Sequence, residues 1–331
     1  ETNANHGGAF PTSRASDAVV AEGRAAVADF LGAARPEEVA FGPNMTTLTF
    51  AMARSLSRSW KPGDEVVLTR LDHDANVSPW LLAAEERGAT VKWLDFDPAD
   101  CTWSVDDLRG LLTERTRLVA VGWASNSVGT VNDVAAAAAA AHEAGALVYV
   151  DAVHYAPHGP IDVAAAGIDL LACSAYKFFG PHLGILWGRH ELLEKTFAYK
   201  VRPAGDAPPD RWETGTQSFE AVAGTLGALE YLAWVGERFG EPFRASLAGS
   251  CSGRRLVLKA AMAAIHAYEE TLSRALVEAL AVVPGLSIRG ITDPIRFAAR
   301  VPTFSFTLEG HPPRELSEAL GRRGFRTWDG N

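Results

Sequence analysis

The chain has 331 residues, 47% of them hydrophobic, with nine Trp and fifteen Phe, which argues against a disordered chain and suits one large domain with a smaller one. A formal net charge of −9, without a concentrated Lys/Arg stripe, argues against binding to a nucleic-acid backbone. Cys101, Cys173 and Cys251 are odd in number and widely spaced, so neither a disulfide framework nor a zinc knuckle is indicated. No apolar run approaches the roughly 20 residues that cross a bilayer, and no signal peptide is recognisable, so no membrane role and a cytoplasmic location are expected.

The chain opens at Glu1 in a polar stretch, Thr2 to Gly8, and stops on a turn signal, Trp328-Asp329-Gly330-Asn331, so both ends are read as incomplete. Phe41-Gly42-Pro43-Asn44-Met45-Thr46-Thr47 leads into a helical Leu48 to Leu56, either as a phosphate cradle at a helix N-terminus or as an ordinary N-cap. Strands and helices then alternate. Strands are expected at Glu65–Thr69, Thr90–Phe96, Arg117–Ala124, Ala146–Val150, Asp169–Ser174 and Gly184–Trp187. Helices are expected at Val77–Arg87, Val105–Leu112 and Val134–Ala144, the last built on an alanine run. Helical stretches at Tyr231–Gly240 and Arg255–Ala281 carry the chain into a C-terminal unit with a strand at Thr303–Leu308 and a helix at Pro313–Arg323. Such alternation predicts a three-layer α/β/α fold on a mostly parallel sheet, with a smaller α+β domain that is incomplete. The expected divisions are an N-terminal segment at 1–20, a large domain at 21–245 and a small domain at 246–331.

Two charged residues stand out against these apolar strands. Lys177 lies in Leu171-Ala172-Cys173-Ser174-Ala175-Tyr176-Lys177-Phe178-Phe179-Gly180-Pro181-His182, and Asp151 closes the strand before it. An acid at the C-terminal end of a buried parallel strand sits where α/β proteins keep ligands. The pair suits pyridoxal phosphate, with Lys177 as the imine-forming amine and Asp151 as the carboxylate on the pyridine nitrogen. It also suits a buried ion pair beside a strand-end cap. His73 follows the strand ending at Thr69, either to stack on a flat ring or as a solvated loop residue. Asn126, in Ser125-Asn126-Ser127-Val128-Gly129-Thr130, either donates to a phenolate oxygen or makes an Asx turn. His154 and His158, four apart, raise a metal-dependent hydrolase as an alternative, although Pro157 between them disfavours the regular helix that would align both rings. No G-x-G-x-x-G or P-loop pattern occurs.

Together His73, Asn126, Asp151, His154, Ser174 and Lys177 fall in order at successive strand ends. With "TRLDHDANVSPW", "ASNSVGT", "VDAVHYAPHGPID", "SAYKFFGP" and "WETGTQ", the chain resembles the fold-type I pyridoxal-phosphate enzymes of aminotransferase class V, in their cysteine-desulfurase-like branch, from about Asn5 to Asn331. The resemblance implies that Lys177 holds the cofactor as an aldimine and later moves the substrate Cα proton. It implies Asp151 on the pyridine N–H, His73 over the ring, and Asn126 and His154 near the phenolic oxygen, where the family usually has glutamine in place of His154. Thr46 and Ser174 would hold the phosphate, with Met45 also at the cofactor site. Tyr176 stands in place of the family's usual histidine beside the lysine. Thr216 would reach the phosphate site of a neighbouring subunit, which implies a homodimer with shared sites. The substrate implied is an amino acid, in a cysteine desulfurase-like or C–S lyase reaction, with a class V aminotransferase or an epimerase as alternatives. The desulfurase thiol of the family has no counterpart near Arg326–Asn331.

Overall fold

The computed structural model describes residues 4–330; the start of the Thr2–Gly8 stretch and the last residue of the Trp328–Asn331 turn lie outside the described residues. The first element is one that sequence patterning passed over, helix α1 (Pro11–Leu31), with Pro at its start and Gly32 in the left-handed region (φ 74°) at its end. A division after residue 20 therefore falls inside a continuous helix, whose buried stripe of Gly23, Val27, Phe30 and Leu31 belongs to the large domain's core. Gly23 is needed there because a Cβ would lie 2.6 Å from Cγ1 of Val222 on a later helix.

Strand β1 (Val39–Gly42) and helix α2 (Met45–Leu56) follow, then β2 (Glu65–Thr69), α3 (Ser78–Arg87), β3 (Thr90–Leu94) and α4 (Val105–Leu111). Next come β4 (Thr116–Gly122), α5 (Val134–Glu143), β5 (Leu147–Asp151), β6 (Leu170–Ser174), β7 (Gly184–Gly188) and α6 (His190–Lys195). The expected Tyr231–Gly240 and Arg255–Ala281 stretches are parts of longer helices, α7 (Phe219–Phe239) and α9 (Gly253–Ala281), with α8 (Glu241–Leu247) between them. The division after residue 245 thus falls within α8, which packs on α9. A two-stranded antiparallel sheet, β8 (Leu286–Arg289) with β9 (Ser305–Leu308), and helix α10 (Pro313–Arg322) complete the described chain.

The seven-stranded sheet has the order β1-β7-β6-β5-β4-β2-β3, with β7 antiparallel to both its neighbours and the β3-β2-β4-β5-β6 run parallel. Strand alternation sends Val67, Val119, Val121, Val148, Val150, Leu171 and Cys173 to one face, against α1, α5, α7 and α9. Val66, Leu68, Leu118, Ala120, Tyr149, Leu170 and Ala172 go to the other, against α2 and α3. With both faces covered, β2, β6 and β7 are buried at every residue, their polar ones confined to the strand ends. Each fully buried large side chain contributes about 1.5–3 kcal/mol. Tyr149, 0% exposed, also shares a 2.8 Å hydrogen bond with Thr49 on α2, so its hydroxyl is not stranded.

Chain order reverses at β2: one neighbour, β3, comes next in sequence, while β4 lies on its other side. The crevice outside the carboxyl ends of β2 and β4 is the position where open α/β sheets bind ligands.

Candidate active site

A cleft of about 160 Å³ opens at that crevice, lined among others by Met45, Thr46, Asp72, His73, Asn126, Asp151, His154, Tyr176 and Lys177. These residues come from the ends of four strands and the first turn of α2. β5 runs one residue further than sequence patterning placed it, because Asp151 pairs in register with Gly122 and Ala172 and its backbone carbonyl accepts from Trp123 N–H at 2.8 Å. The carboxylate is thereby fixed to a strand and not to a loop.

Asp151 is 7% exposed, and Oδ1 accepts the Val153 N–H at 2.8 Å. Among the described residues it has no ion pair. Burial pushes its pKa up to about 7; the Val153 bond and Lys177 pull it down, and Asp72 pushes it higher. Asp72, which sequence analysis did not single out, lies across the switch point. Its Oδ1 accepts from Gly122 N–H and Thr69 Oγ1 (both 2.8 Å), and Oδ2 from Asn76 Nδ2 (2.7 Å). Burial is again the largest influence, raising its pKa to about 6 against these three bonds. A Cβ at Gly122 would sit 2.9 Å from Asp72 Oδ1, so a larger residue there would push the carboxylate off its bonds.

At the β6 end the chain makes a 3-10 turn, Ala175–Phe178, and Phe179 then adopts the left-handed region (φ 70°), a conformation that costs a non-glycine residue about 1–2 kcal/mol. This strained reversal puts Lys177 at the cleft. Its Nζ makes no hydrogen bond or ion pair within the described residues; the ring of Tyr176 lies beneath it, 5.6 Å to the centroid. Tyr176 in turn stacks on His182 at 4.9 Å.

Helix α2 starts at Met45, three residues before the predicted start, with Asn44 as its N-cap accepting Thr47 N–H. The N-cap and cradle readings of this segment are therefore compatible. Ser174 Oγ, 0% exposed, accepts Met45 N–H at 3.0 Å and ties the helix start to β6. Gly184 allows this approach, since a Cβ there would come within 2.4 Å of Asn44 backbone. Ser174 lies behind the cleft wall, while Thr46 faces the cleft with its backbone N–H outside any intrahelical bond.

His73 is exposed, and its Nδ1 accepts Ala75 N–H at 3.0 Å, leaving Nε2 to carry the proton of the neutral ring. His154 shares a 2.7 Å hydrogen bond through Nε2 with Thr303 Oγ1. Burial, His158 and Lys177 together push its pKa down to about 4, so it is neutral near pH 7. Thr303 is 149 residues away in sequence, and no local pattern marked it.

Two expected residues stand apart. Thr216 is exposed on the loop beyond Trp212 and does not line the cleft. Its loop is anchored by Glu213, which takes a bidentate pair from Arg24 (2.7 and 3.1 Å) and the Phe41 N–H. His158 pairs with Glu269 at 2.9 Å, and the His154 and His158 rings lie edge to face at 5.4 Å with their nitrogens on different partners. Among the described residues no group of three or more His, Cys, Asp or Glu is placed to hold a metal, and the hydrolase alternative has no support.

A family model described as aminotransferase class-V matches residues 2–330. The chain is 34% identical over 326 residues to the aminotransferase-like protein FGM3 of Gibberella zeae, covering 97% of this chain and 74% of that one. It is 33% identical over 329 residues to a cysteine desulfurase of Dickeya dadantii, covering 98% and 74%. Among solved structures, the cysteine desulfurase CsdA of Escherichia coli superposes with a TM-score of 0.77 at 27% identity, covering 98% of this chain and 76% of that one. The apo cysteine desulfurase of Thermococcus onnurineus shares the fold, with a TM-score of 0.80 at 23% identity and coverage of 98% and 76%.

Proposed function

The chain belongs to the aminotransferase class-V family, an enzyme family that uses pyridoxal phosphate, and from that premise we propose that it is a cysteine-desulfurase-like C–S lyase acting on an amino acid. The observation that carries the reading is the buried Asp151 carboxylate, unpaired and facing a cleft whose other side presents the free Lys177 amine. A lone buried carboxylate is costly unless a cation completes it, and a protonated pyridine nitrogen is such a cation. The rest of the donor set fits the same group. Thr46 at the N-terminus of α2, with Met45 and Ser174 fixing that turn, suits a phosphate; His73 suits the ring face; Asn126 and neutral His154 suit the phenolic oxygen.

When bound, pyridoxal phosphate supplies an electron sink for a bond broken at the substrate Cα. Asp151 would keep that sink charged, and Lys177 Nζ is the amine that would hold the group. With a substrate amine in its place, Lys177 Nζ would be free to take the Cα proton at close range. Loss of that proton would allow a thiolate to leave from Cβ, and hydrolysis of the resulting 2-aminoacrylate would give pyruvate and ammonia. Thiol attack on the substrate sulfur is the competing route, and it needs an accessible, acidic cysteine. Among the described residues none lines the cleft. Cys101 and Cys173 are buried with raised pKa values, and Cys251 lies in the turn between α8 and α9 with its thiol donating to Leu247 O.

We propose a two-fold homodimer with shared sites; the support is that Thr216 is exposed on its anchored loop and does not line this chain's own cleft. Incubation with cysteine, cystine and cysteine conjugates tests the reaction: pyruvate is expected. Alanine with sulfur trapped on a protein cysteine would make the enzyme a persulfide-forming desulfurase. Alanine formed only with a keto acid would make it an aminotransferase.

A further inference from the structure

Arg300 is 3% exposed and has no carboxylate partner among the described residues. Its guanidinium is spent on main-chain carbonyls: Nη1 donates to Ile291 O, and Nη2 donates to Thr303 O at 2.7 Å and more weakly to Val128 O at 3.4 Å. Its other flank lies on the ring of Phe304, 3.8 Å to the centroid. Desolvation without a counter-ion pulls its pKa down to about 10. A buried cation held only by carbonyl dipoles is a costly way to fill space. The three segments it ties together explain the cost.

Residues 300–305 form a strap from the C-terminal lobe over the turn that follows β4. Val301 N–H donates to Gly129 O at 2.8 Å, Ser305 Oγ to Ser127 O at 2.5 Å, and just before the strap Ala299 O accepts Val131 N–H at 2.9 Å. Gly129 (φ 78°) admits the strap, because a Cβ there would lie 2.6 Å from both Val301 O and Thr303 O. The turn carries Asn126 into the cleft, and the strap's Thr303 hydroxyl holds His154 at 2.7 Å. Two cleft groups from different strand ends are therefore located by one segment of the other lobe.

We propose that Arg300 is a positioning residue: by locking the strap 300–305 onto the turn 125–130, it sets where Asn126 and His154 meet the cofactor. The inference rests on the reading above that the cleft holds pyridoxal phosphate. The lobe that carries the strap is thereby coupled to cofactor grip. A lobe movement that lifts the strap would release both side chains together.

The test pairs amide hydrogen exchange with cofactor titration on wild type, Arg300→Met and Arg300→Lys. In Arg300→Met, exchange at 125–131 and 299–305 is expected to rise while β2, β5 and β6 keep their protection. Pyridoxal phosphate should bind about tenfold more weakly or worse, and the pH dependence of its visible band should move, as expected for a lost supporting contact. Arg300→Lys keeps the charge without the fork and should recover part of each effect. Should Arg300→Met lose protection throughout, Ser305→Ala and Thr303→Val read the same coupling through the strap's own contacts. Wild-type cofactor affinity and wild-type exchange at 125–131 in the variants would overturn the inference alone. A folded wild type that binds no pyridoxal phosphate would overturn the cofactor reading and the inference with it.

Discussion

Asp151→Asn separates what the site costs the fold from what it gives the chemistry. Asn has the same shape and its Oδ1 can still accept the Val153 N–H, so the substitution removes charge and little else. In the protein without cofactor, burial raises the Asp151 pKa from 3.8 to about 7. Below pH 3.8 the carboxyl is protonated folded or unfolded, and it costs nothing. As pH rises the unfolded chain ionises first, so the folded state loses ground until about pH 7, where the deficit reaches roughly 4 kcal/mol. The cofactor-free Asn variant is expected to be the more stable by about that amount at pH 8 and equal to wild type near pH 4. Asp72, raised to about 6 by burial, titrates in both proteins. Denaturant unfolding of both proteins from pH 4 to 8 reads the difference directly. Adding pyridoxal phosphate should reverse the order, because only wild type has a carboxylate for the pyridine N–H. A difference independent of pH, or an Asn variant less stable at pH 8, would refute the reasoning.

His154→Gln should remove an opposite pH dependence. The wild-type ring, depressed to about 4 when folded, loses up to about 3 kcal/mol of stability as pH falls from 6.5 to 4, and the Gln variant should lack that slope in the same unfolding series. Lys177→Ala mixed with Thr216→Trp should recover activity through hybrid dimers when neither variant alone is active, measured as turnover after co-refolding; no recovery from two folded variants would count against shared sites. Gly184→Ala should weaken cofactor binding, since its Cβ would meet Asn44 backbone at 2.4 Å and push the start of α2 off β6; equilibrium titration checks it.

Sequence alternation was enough to predict the α/β sheet because β2, β4, β5 and β6 are apolar runs closed by turn residues, and their carboxyl ends named His73, Asn126, Asp151 and Lys177. Helix α1 escaped notice because no side chain caps its start and a polar stretch precedes it. β1 escaped because four residues, Val39–Gly42, are too short to show a period, and only pairing with β7 makes them a strand. Asp72 lies beside His73 with nothing local to distinguish it; its importance comes from the β2–β4 switch point, which exists only once the strand order is known. The same holds for Thr303 and Arg300, whose partners lie 149 and 172 residues away. Local chemistry marks strand ends; contacts between lobes leave no local mark.

If Lys177 carries the cofactor, chemical reduction traps the two together. The protein, loaded with pyridoxal phosphate and reduced with borohydride, is digested and its peptides are mapped by mass. The cofactor should be found on the peptide containing Lys177, with loss of the visible absorption band, and Lys177→Ala should retain neither the band nor the adduct. A folded wild type that stays colourless with added pyridoxal phosphate, or an adduct on a different lysine, would show that Lys177 does not carry it.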